Sequence, residues 1–348
     1  VTRIAVIPGD GIGVEVTREA TETLRAVAAR SGRAIAFEEF PYGADHFLRT
    51  GETLPQQGFD RLKTFDAILL GALGDPRVPD NRHAADILLG LRFRLDLYVN
   101  HRPVRLLDER LCPLKGRKVE DVDFVIFREN TEGLYAGVGG FFKKGTPDEV
   151  ATQEDINTRK GVERILRHAF EWARSHGRRR VLMSDKSNAL TYGHDLWQRA
   201  FREVAADYPD IEPSHMYVDA LAMQLVKDPS AFEVIVACNM FGDILSDLGA
   251  QIQGGLGLAA SANLHPGRIG LFEPVHGSAP KYAGQGVANP IGAILSAAML
   301  LDAVGRSDEA SAIEAAVTDC VRAGKTTRDL GGTLSTSEMG AEIRRRLK

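Results

Sequence analysis

Asp243 and Asp247 stand four residues apart in the stretch Asn239-Met240-Phe241-Gly242-Asp243-Ile244-Leu245-Ser246-Asp247. Helical spacing places the two carboxylates one above the other on a single face. Carboxylates so placed repel unless a cation lies between them, and no Lys or Arg occurs from Asn239 to Leu258. A divalent metal meets that requirement. The other reading is one solvated Asp and one acidic side chain facing the positive end of a helix dipole. Aspartate oxygens are hard ligands and favour Mg²⁺ or Mn²⁺. Zinc is disfavoured, because the two closest histidines, His168 and His176, are eight residues apart.

Other residues could serve the same chemistry. Arg92 and Arg94 close an apolar helix-like run, Arg102 lies in Tyr98-Val99-Asn100-His101-Arg102-Pro103, and Arg128 ends the strand-like Phe124-Val125-Ile126-Phe127. A guanidinium on an apolar element needs an anionic partner, and its planar fork suits a carboxylate. That partner is either a substrate acid or a nearby Asp or Glu. Lys186 is a candidate base and Tyr135 a candidate acid beside a metal that polarises a substrate oxygen; Tyr135 also reads as an ordinary hairpin aromatic.

The elements that must position these groups alternate between strand and helix. Arg3 to Ile7 reads as a strand, Val14 to Arg30 as a helix, and Ala34 to Phe40 and Ala67 to Leu70 as strands. Val181 to Met183, Ser214 to Val218 and Phe232 to Cys238 each precede a helix-like pattern, the last opening at about Gly242. This alternation predicts an α/β protein with a largely parallel sheet. Lys186, Asp219 and Asn239 to Asp247 then follow strand ends, where open α/β sheets gather ligand sites. Gly133 to Gln153 reads as a β-hairpin with a longer turn. Its exposed Phe141 and Phe142 would be costly unless a partner covered them. Gly9-Asp10-Gly11-Ile12-Gly13 follows a strand but lacks the G-x-G-x-x-G spacing, since position 14 is Val. Tight-turn glycines are the preferred reading.

The chain has 348 residues, 44% hydrophobic and 26% charged, with a formal net charge of −4. That is enough for two domains, and the charge argues against nucleic-acid binding. Cys112, Cys238 and Cys320 are widely separated and odd in number, so a reducing cytoplasm is expected rather than a disulfide framework. No leader pattern precedes the first strand, and the apolar run Ile294 to Leu301 is too short to cross a membrane.

The chain resembles the metal-dependent β-decarboxylating dehydrogenases of 2-hydroxy acids, the isocitrate and isopropylmalate dehydrogenase family. The motifs are Ile7-Pro8-Gly9-Asp10-Gly11-Ile12-Gly13, Leu91-Arg92 with Arg102-Pro103, Arg128-Glu129-Asn130-Thr131-Glu132-Gly133, Asp185-Lys186-Ser187-Asn188, Asn239 to Leu258, and Glu273-Pro274-Val275-His276-Gly277-Ser278-Ala279-Pro280. The resemblance implies a two-domain fold with a mostly parallel central sheet that is not a true Rossmann fold. It divides the chain into a large cofactor-binding domain, 1–98 plus 252–348, and a small substrate and dimerisation domain, 99–251, with a hairpin arm near 133–154. It implies that Arg92, Arg102 and Arg128 hold substrate carboxylates, that Asp219, Asp243 and Asp247 bind Mg²⁺ or Mn²⁺, and that Asp219 also faces the substrate. Lys186 would take the hydroxyl proton and Tyr135 would protonate the enol. Lys186 and Asp219 would come from the other subunit, making a homodimer the active unit, clasped by the hairpin around Phe141. Glu273, His276, Gly277, Ser278, Ala279, Lys281, Tyr282 and Asn289 would hold NAD or NADP.

Family patterns also bear on specificity. Isocitrate enzymes place Ser and Asn six and four residues before the first substrate arginine; here those positions are Asp86 and Leu88. Leu88 and Leu89 resemble the apolar wall that receives an isopropyl group, although isopropylmalate enzymes usually carry Glu where this chain has Ala85. The favoured substrate is 3-isopropylmalate, a leucine precursor, followed by tartrate or D-malate, then isocitrate or homoisocitrate. Lys281-Tyr282 replaces the Asp-containing pair of NAD-dependent relatives and resembles the pair of NADP-dependent isocitrate enzymes. A silent regulatory subunit is the non-enzymatic alternative, but such relatives typically lose the metal Asp or the catalytic Lys and Tyr, all of which are present here.

Overall fold

The computed structural model describes residues 1–348, which form two compact units. The first comprises Val1–Leu97, Arg105–Val119 and Ala250–Lys348, and the second Tyr98–Val104 and Glu120–Gly249. Arg105–Val119 therefore clusters with the first unit rather than within the block 99–251.

Five strands of the first unit lie in the order Ile35–Glu39, Thr2–Gly9, Ala67–Ala72, Gly270–Pro274, Ala260–Leu264. Their pairings are parallel except the last, which is antiparallel. Ala67–Ala72 is buried along its whole length, as expected of a strand covered on both faces. The long helix Gly13–Ser31 buries Val16, Ala20, Leu24, Val27 and Ala28 at helical spacing and stops at Gly32, which is left-handed at φ 71°. Its apolar face joins Ile291, Ile294, Leu301, Ile313 and Val317 in one core.

In the second unit the order is Val99–Arg105, Asp123–Glu129, Val234–Ala237, Arg180–Asp185, Glu212–Tyr217. The last four are parallel neighbours. Helix Arg159–Ser175 is capped by Thr158, whose side chain accepts from the Gly161 N–H. It buries Val162, Ile165, Leu166, Ala169, Phe170 and Ala173, one continuous stripe. The expected hairpin forms as Gly139–Phe142 against Val150–Gln153, with Phe141 and Phe142 more than 60% exposed at 62% and 65%. No helix is long and apolar enough to cross a membrane, and all three cysteines are free thiols.

Candidate active site

Strand ends of the second unit carry most of the candidate chemistry. Helix Asn239–Ile252 starts directly after strand Val234–Ala237, three residues earlier than the sequence predicts. Gly242 N–H donates to the Cys238 carbonyl at 2.8 Å, so the first turn is already helical there. Gly242 also lies against Arg128: a Cβ at this glycine would fall 2.6 Å from the Arg128 Cβ. The missing side chain lets the arginine lie flat on the helix.

Arg128 is 2% exposed. Its Nε and Nη2 donate to Asn239 Oδ1 at 3.0 and 2.7 Å, and its Nη1 donates to Asp243 at 2.5 Å. Arg102, from the neighbouring strand, lies 3.1 Å from Asp243 and 3.5 Å from Asp247, and donates to Ser246 Oγ at 2.7 Å. The aspartate pair is therefore not without positive charge. The local sequence lacks Lys and Arg, but two strands distant in sequence deliver guanidiniums, which corrects the argument from segment 239–258 alone. Burial pushes the Asp247 carboxyl above its usual value, with Arg102 opposing and Asp243 adding to the rise. Its partly exposed oxygens and those of Asp243 are a hard donor pair on one helix face, which fits a divalent cation.

Tyr135 sits in a short 3₁₀ turn, Leu134–Ala136, ahead of the hairpin rather than on it. Its hydroxyl donates to Asp243 Oδ2 at 2.9 Å, and the Arg128 guanidinium lies 5.0 Å from its ring centre. Asp243 thus collects Arg102, Arg128 and Tyr135.

Lys186 and Asp219 make a second group. Lys186 follows strand Arg180–Asp185, and its backbone N–H donates to His194 Nδ1 at 2.8 Å. Asp219 opens helix Val218–Lys227. The two side chains pair at 2.7 Å, and this hydrogen bond holds the Asp219 carboxyl below its usual value. Asp219 does not join Asp243 and Asp247: no group of three or more His, Cys, Asp or Glu side chains in the chain is placed to hold a metal ion.

The remaining candidates belong to the first unit. Leu88 and Leu89 lie in a π-helical turn, Ala85–Leu89, inserted before Gly90–Arg94. Such wide turns re-aim side chains and recur at functional sites. Leu88 packs on the core of Ile87, Leu91 and Leu271, whereas Leu89 lies outside it and is half-buried. Arg92 pairs with Glu273 at 2.8 Å, both buried, while its Nε is buried with no partner. Glu273 also accepts from Asn263 at 2.9 Å.

Gly277, Ser278 and Ala279 follow His276 in one loop. Ala279 is left-handed at φ 37° without being glycine, a strained conformation of the kind found at ligand clamps. The Ile12 N–H donates to Ser278 O at 2.8 Å, and a Cβ at Gly11 would fall 2.1 Å from that oxygen. The first Gly-rich turn is thus a structural partner of this loop. Its Asp10 is buried and accepts from Ala44 N at 2.6 Å and Gly74 N at 2.8 Å. His276 Nδ1 lies 3.0 Å from the Gly277 carbonyl, while its Nε2 is buried with no partner. A proton on Nδ1 donating to that carbonyl leaves Nε2 as an acceptor. Lys281 Nζ lies 4.7 Å over the exposed Tyr282 ring, and Asn289 donates to Asp329 at 3.0 Å.

Sequence reasoning missed Asn239 and Ser246 as the acceptors that aim Arg128 and Arg102, and His194 behind Lys186. For the first two a signal existed, since arginines on strands demand acceptors and both residues share the helix of Asp243.

The family described as isocitrate/isopropylmalate dehydrogenase matches residues 3–343. A 3-isopropylmalate dehydrogenase of Thermobifida fusca is 47% identical, over 99% of this chain and 97% of its own. A tartrate dehydrogenase/decarboxylase of Pseudomonas putida is 44% identical, over 98% of this chain and 96% of its own. The crystal structure of isocitrate dehydrogenase from Methylococcus capsulatus superimposes with a TM-score of 0.92 at 37% identity, covering 100% of this chain and 99% of that one. The chain belongs to the isocitrate/isopropylmalate dehydrogenase family and is a metal-dependent decarboxylating dehydrogenase.

Proposed function

We propose that this chain oxidises and decarboxylates 3-isopropylmalate with NAD or NADP and Mg²⁺ or Mn²⁺, as a cytoplasmic homodimer serving leucine biosynthesis. The observation that carries the reading is the assembly of Arg102, Arg128 and Tyr135 around Asp243, with Asp247 on the same helix face. It joins carboxylate-binding forks, an acid and hard metal ligands at the ends of neighbouring strands.

Asp243 and Asp247, with Asp219 of the partner subunit, are assigned to the cation. When bound, the cation supplies positive charge beside the substrate's C2 oxygen and stabilises the negative charge that develops there. Arg102 and Arg128 orient the malate carboxylates. Arg92 joins them through its Nε, which is a buried donor in need of an acceptor. Lys186 of the partner subunit would accept the C2 hydroxyl proton, and a bound nicotinamide would supply the acceptor for the C2 hydride. The C3 carboxylate departs as CO₂, and Tyr135 delivers a proton to C3 of the resulting enol. A cation held by Asp219 would compete for the carboxylate that otherwise pairs with Lys186 Nζ at 2.7 Å. Leu89 is the apolar contact for the isopropyl group.

The His276 loop is assigned to the cofactor. Its bare, buried Nε2 suits an amino donor such as that of adenine. Lys281, held over Tyr282, suits a 2′-phosphate and makes NADP usable. Tartrate or D-malate is the second reading, favoured by the Pseudomonas relative and by the Leu pair.

The test follows reduced nicotinamide and released CO₂ from 3-isopropylmalate. Both should appear in equal amounts, vanish on chelation and return with Mn²⁺. Turnover that survives complete chelation would refute the assignment.

A further inference from the structure

Strand Arg180–Asp185 ends one residue before Lys186, so the Lys186 N–H is the first main-chain donor past the sheet and needs an acceptor. The Lys186 carbonyl accepts from the Ala189 N–H at 2.9 Å and the Leu190 N–H at 2.8 Å, which closes a turn. The N–H is met by a side chain. His194, the second residue of helix Gly193–Ala206, accepts it on Nδ1 at 2.8 Å, and this residue is 1% exposed. Nδ1 accepts only when it carries no proton, which leaves the ring proton on Nε2. Burial pushes His194 below the usual histidine value and favours that neutral ring, against the opposing pull of Asp185 and Asp155. Nε2 lies 3.8 Å from Asp155 Oδ2, beyond hydrogen-bond reach, and that carboxylate accepts from Asn157 at 2.9 Å. The bond to Lys186 is therefore the one close hydrogen bond of the ring. Its edge meets Phe241, with ring centres 5.5 Å apart and planes at 74°. Phe241 lies on the helix of Asp243 and Asp247, so one imidazole sits between that helix and the main chain of Lys186.

We infer that His194 is a positioning residue for Lys186, its bare Nδ1 fixing the main chain from which the amine reaches a substrate hydroxyl. The inference rests on the role of Lys186 as base proposed above. The far end of the lysine is already placed, with Nζ 2.7 Å from Asp219 Oδ2 and 5.7 Å from the Tyr217 ring centre. The stem between is flexible, so a shift at the main chain is carried to the amine. A displacement of about 1 Å at a reacting group can cost about 100-fold in rate. Substrate binding is assigned to the arginines, so loss of the anchor falls on kcat and leaves KM. A ring that only packed would be replaced by a phenyl group without loss of turnover.

His194→Phe keeps a ring against Phe241 and deletes the acceptor, whereas His194→Asn restores an acceptor with its Oδ1. Both are compared with wild type and Lys186→Ala on the best substrate among 3-isopropylmalate, D-malate, tartrate and isocitrate, with cofactor and Mn²⁺ saturating. His194→Phe should lower kcat about tenfold or more with KM changed less than about threefold, and His194→Asn should recover most of that loss. Amide exchange followed by NMR, on the protein without ligands, gives a readout apart from turnover. The Lys186 N–H should be protected in wild type and His194→Asn, and should exchange at least about tenfold faster in His194→Phe. If His194→Phe does not fold, nitrogen-15 spectra of labelled histidine in the wild type decide, and His194 should show an unprotonated Nδ1 and a protonated Nε2. A proton on Nδ1 would overturn the inference. So would a kcat for His194→Phe within about twofold of wild type while Lys186→Ala is inactive, or equal losses in both His194 variants. Full activity of Lys186→Ala would instead remove the base itself, and the proposed proton transfer with it.

Discussion

Asp243 is the residue on which the proposed site converges. It faces two guanidiniums and a phenol, and it shares a helix face with a second carboxylate. The arginines that neutralise it in the chain alone are the ones proposed to hold substrate. On that proposal a cation at Asp243 would take over the neutralising role that Arg102 and Arg128 now fill, leaving both guanidiniums for substrate carboxylates. Asp243→Asn should weaken Mn²⁺ binding, read by calorimetry, and lower kcat by on the order of 100-fold or more, as expected when charge stabilisation is lost in a desolvated site. Wild-type Mn²⁺ affinity in that variant would remove Asp243 from the ligand set.

Elements decide what these residues can do. The Pro280–Tyr282 turn holds Lys281 above Tyr282 next to the strained Ala279. The double substitution Lys281→Asp with Tyr282→Ile should shift the kcat/KM ratio from NADP toward NAD by about tenfold or more, since a charge-assisted hydrogen bond is replaced by repulsion. A wild type strongly selective for NAD and unchanged by the substitution would show that the turn does not read the 2′-phosphate. A different device lies between strand Val99–Arg105 and helix Arg159–Ser175. His101 and His168 each pack 5.0 Å from the Phe127 ring, and Trp172 lies beside both Phe127 and His101. Burial pushes His101 down to about 3 and His168 to about 4, with neighbouring histidines adding to both falls. The unfolded chain then binds more protons below the ordinary histidine value of about 6.5. Stability from this cluster is complete above that pH and drains as pH falls toward 4, by up to about 1.4 kcal/mol per pH unit for each histidine. Urea unfolding between pH 4 and 8 should show this slope, and His168→Leu should flatten it. A slope unchanged by the substitution would clear His168 of the effect.

At the scale of the molecule, local patterns were readable and remote meetings were not. The alternation of strand and helix, the Asp pair's helix and the hairpin follow from periodicity and turn residues, which are local. Asn239 to Phe241 lack a strong helical signature, so the pattern alone starts helix Asn239–Ile252 late and makes Gly242 a boundary rather than a seat for Arg128. The π turn at Ala85–Leu89 leaves no mark in apolar spacing, so Leu88 and Leu89 look equivalent in the sequence, although of these two half-buried side chains only Leu88 packs against the core. The ion pairs and the Tyr135 hydrogen bond at Asp243 join residues 108 to 141 apart in the chain by their numbering, which no window of sequence can show. The proposed division of the active site between subunits has its own test. Lys186→Ala and Asp243→Asn proteins, each inactive alone, should regain roughly a quarter of wild-type activity when unfolded together and refolded, because half of randomly formed dimers are mixed and each mixed dimer has one intact site. No recovery, with mixed dimers shown to form, would place Lys186 and Asp243 in one subunit's site.

The central claim, a malate-type decarboxylating dehydrogenase with an apolar pocket for an alkyl group, is tested most directly by kcat/KM for 3-isopropylmalate, D-malate, tartrate and isocitrate, each with NAD and NADP. Each buried methylene contributes about 0.8 kcal/mol, so the isopropyl group should raise efficiency over D-malate by roughly tenfold or more. 3-Isopropylmalate should lead the series with either cofactor, whereas isocitrate ahead of it by more than about tenfold would contradict the account.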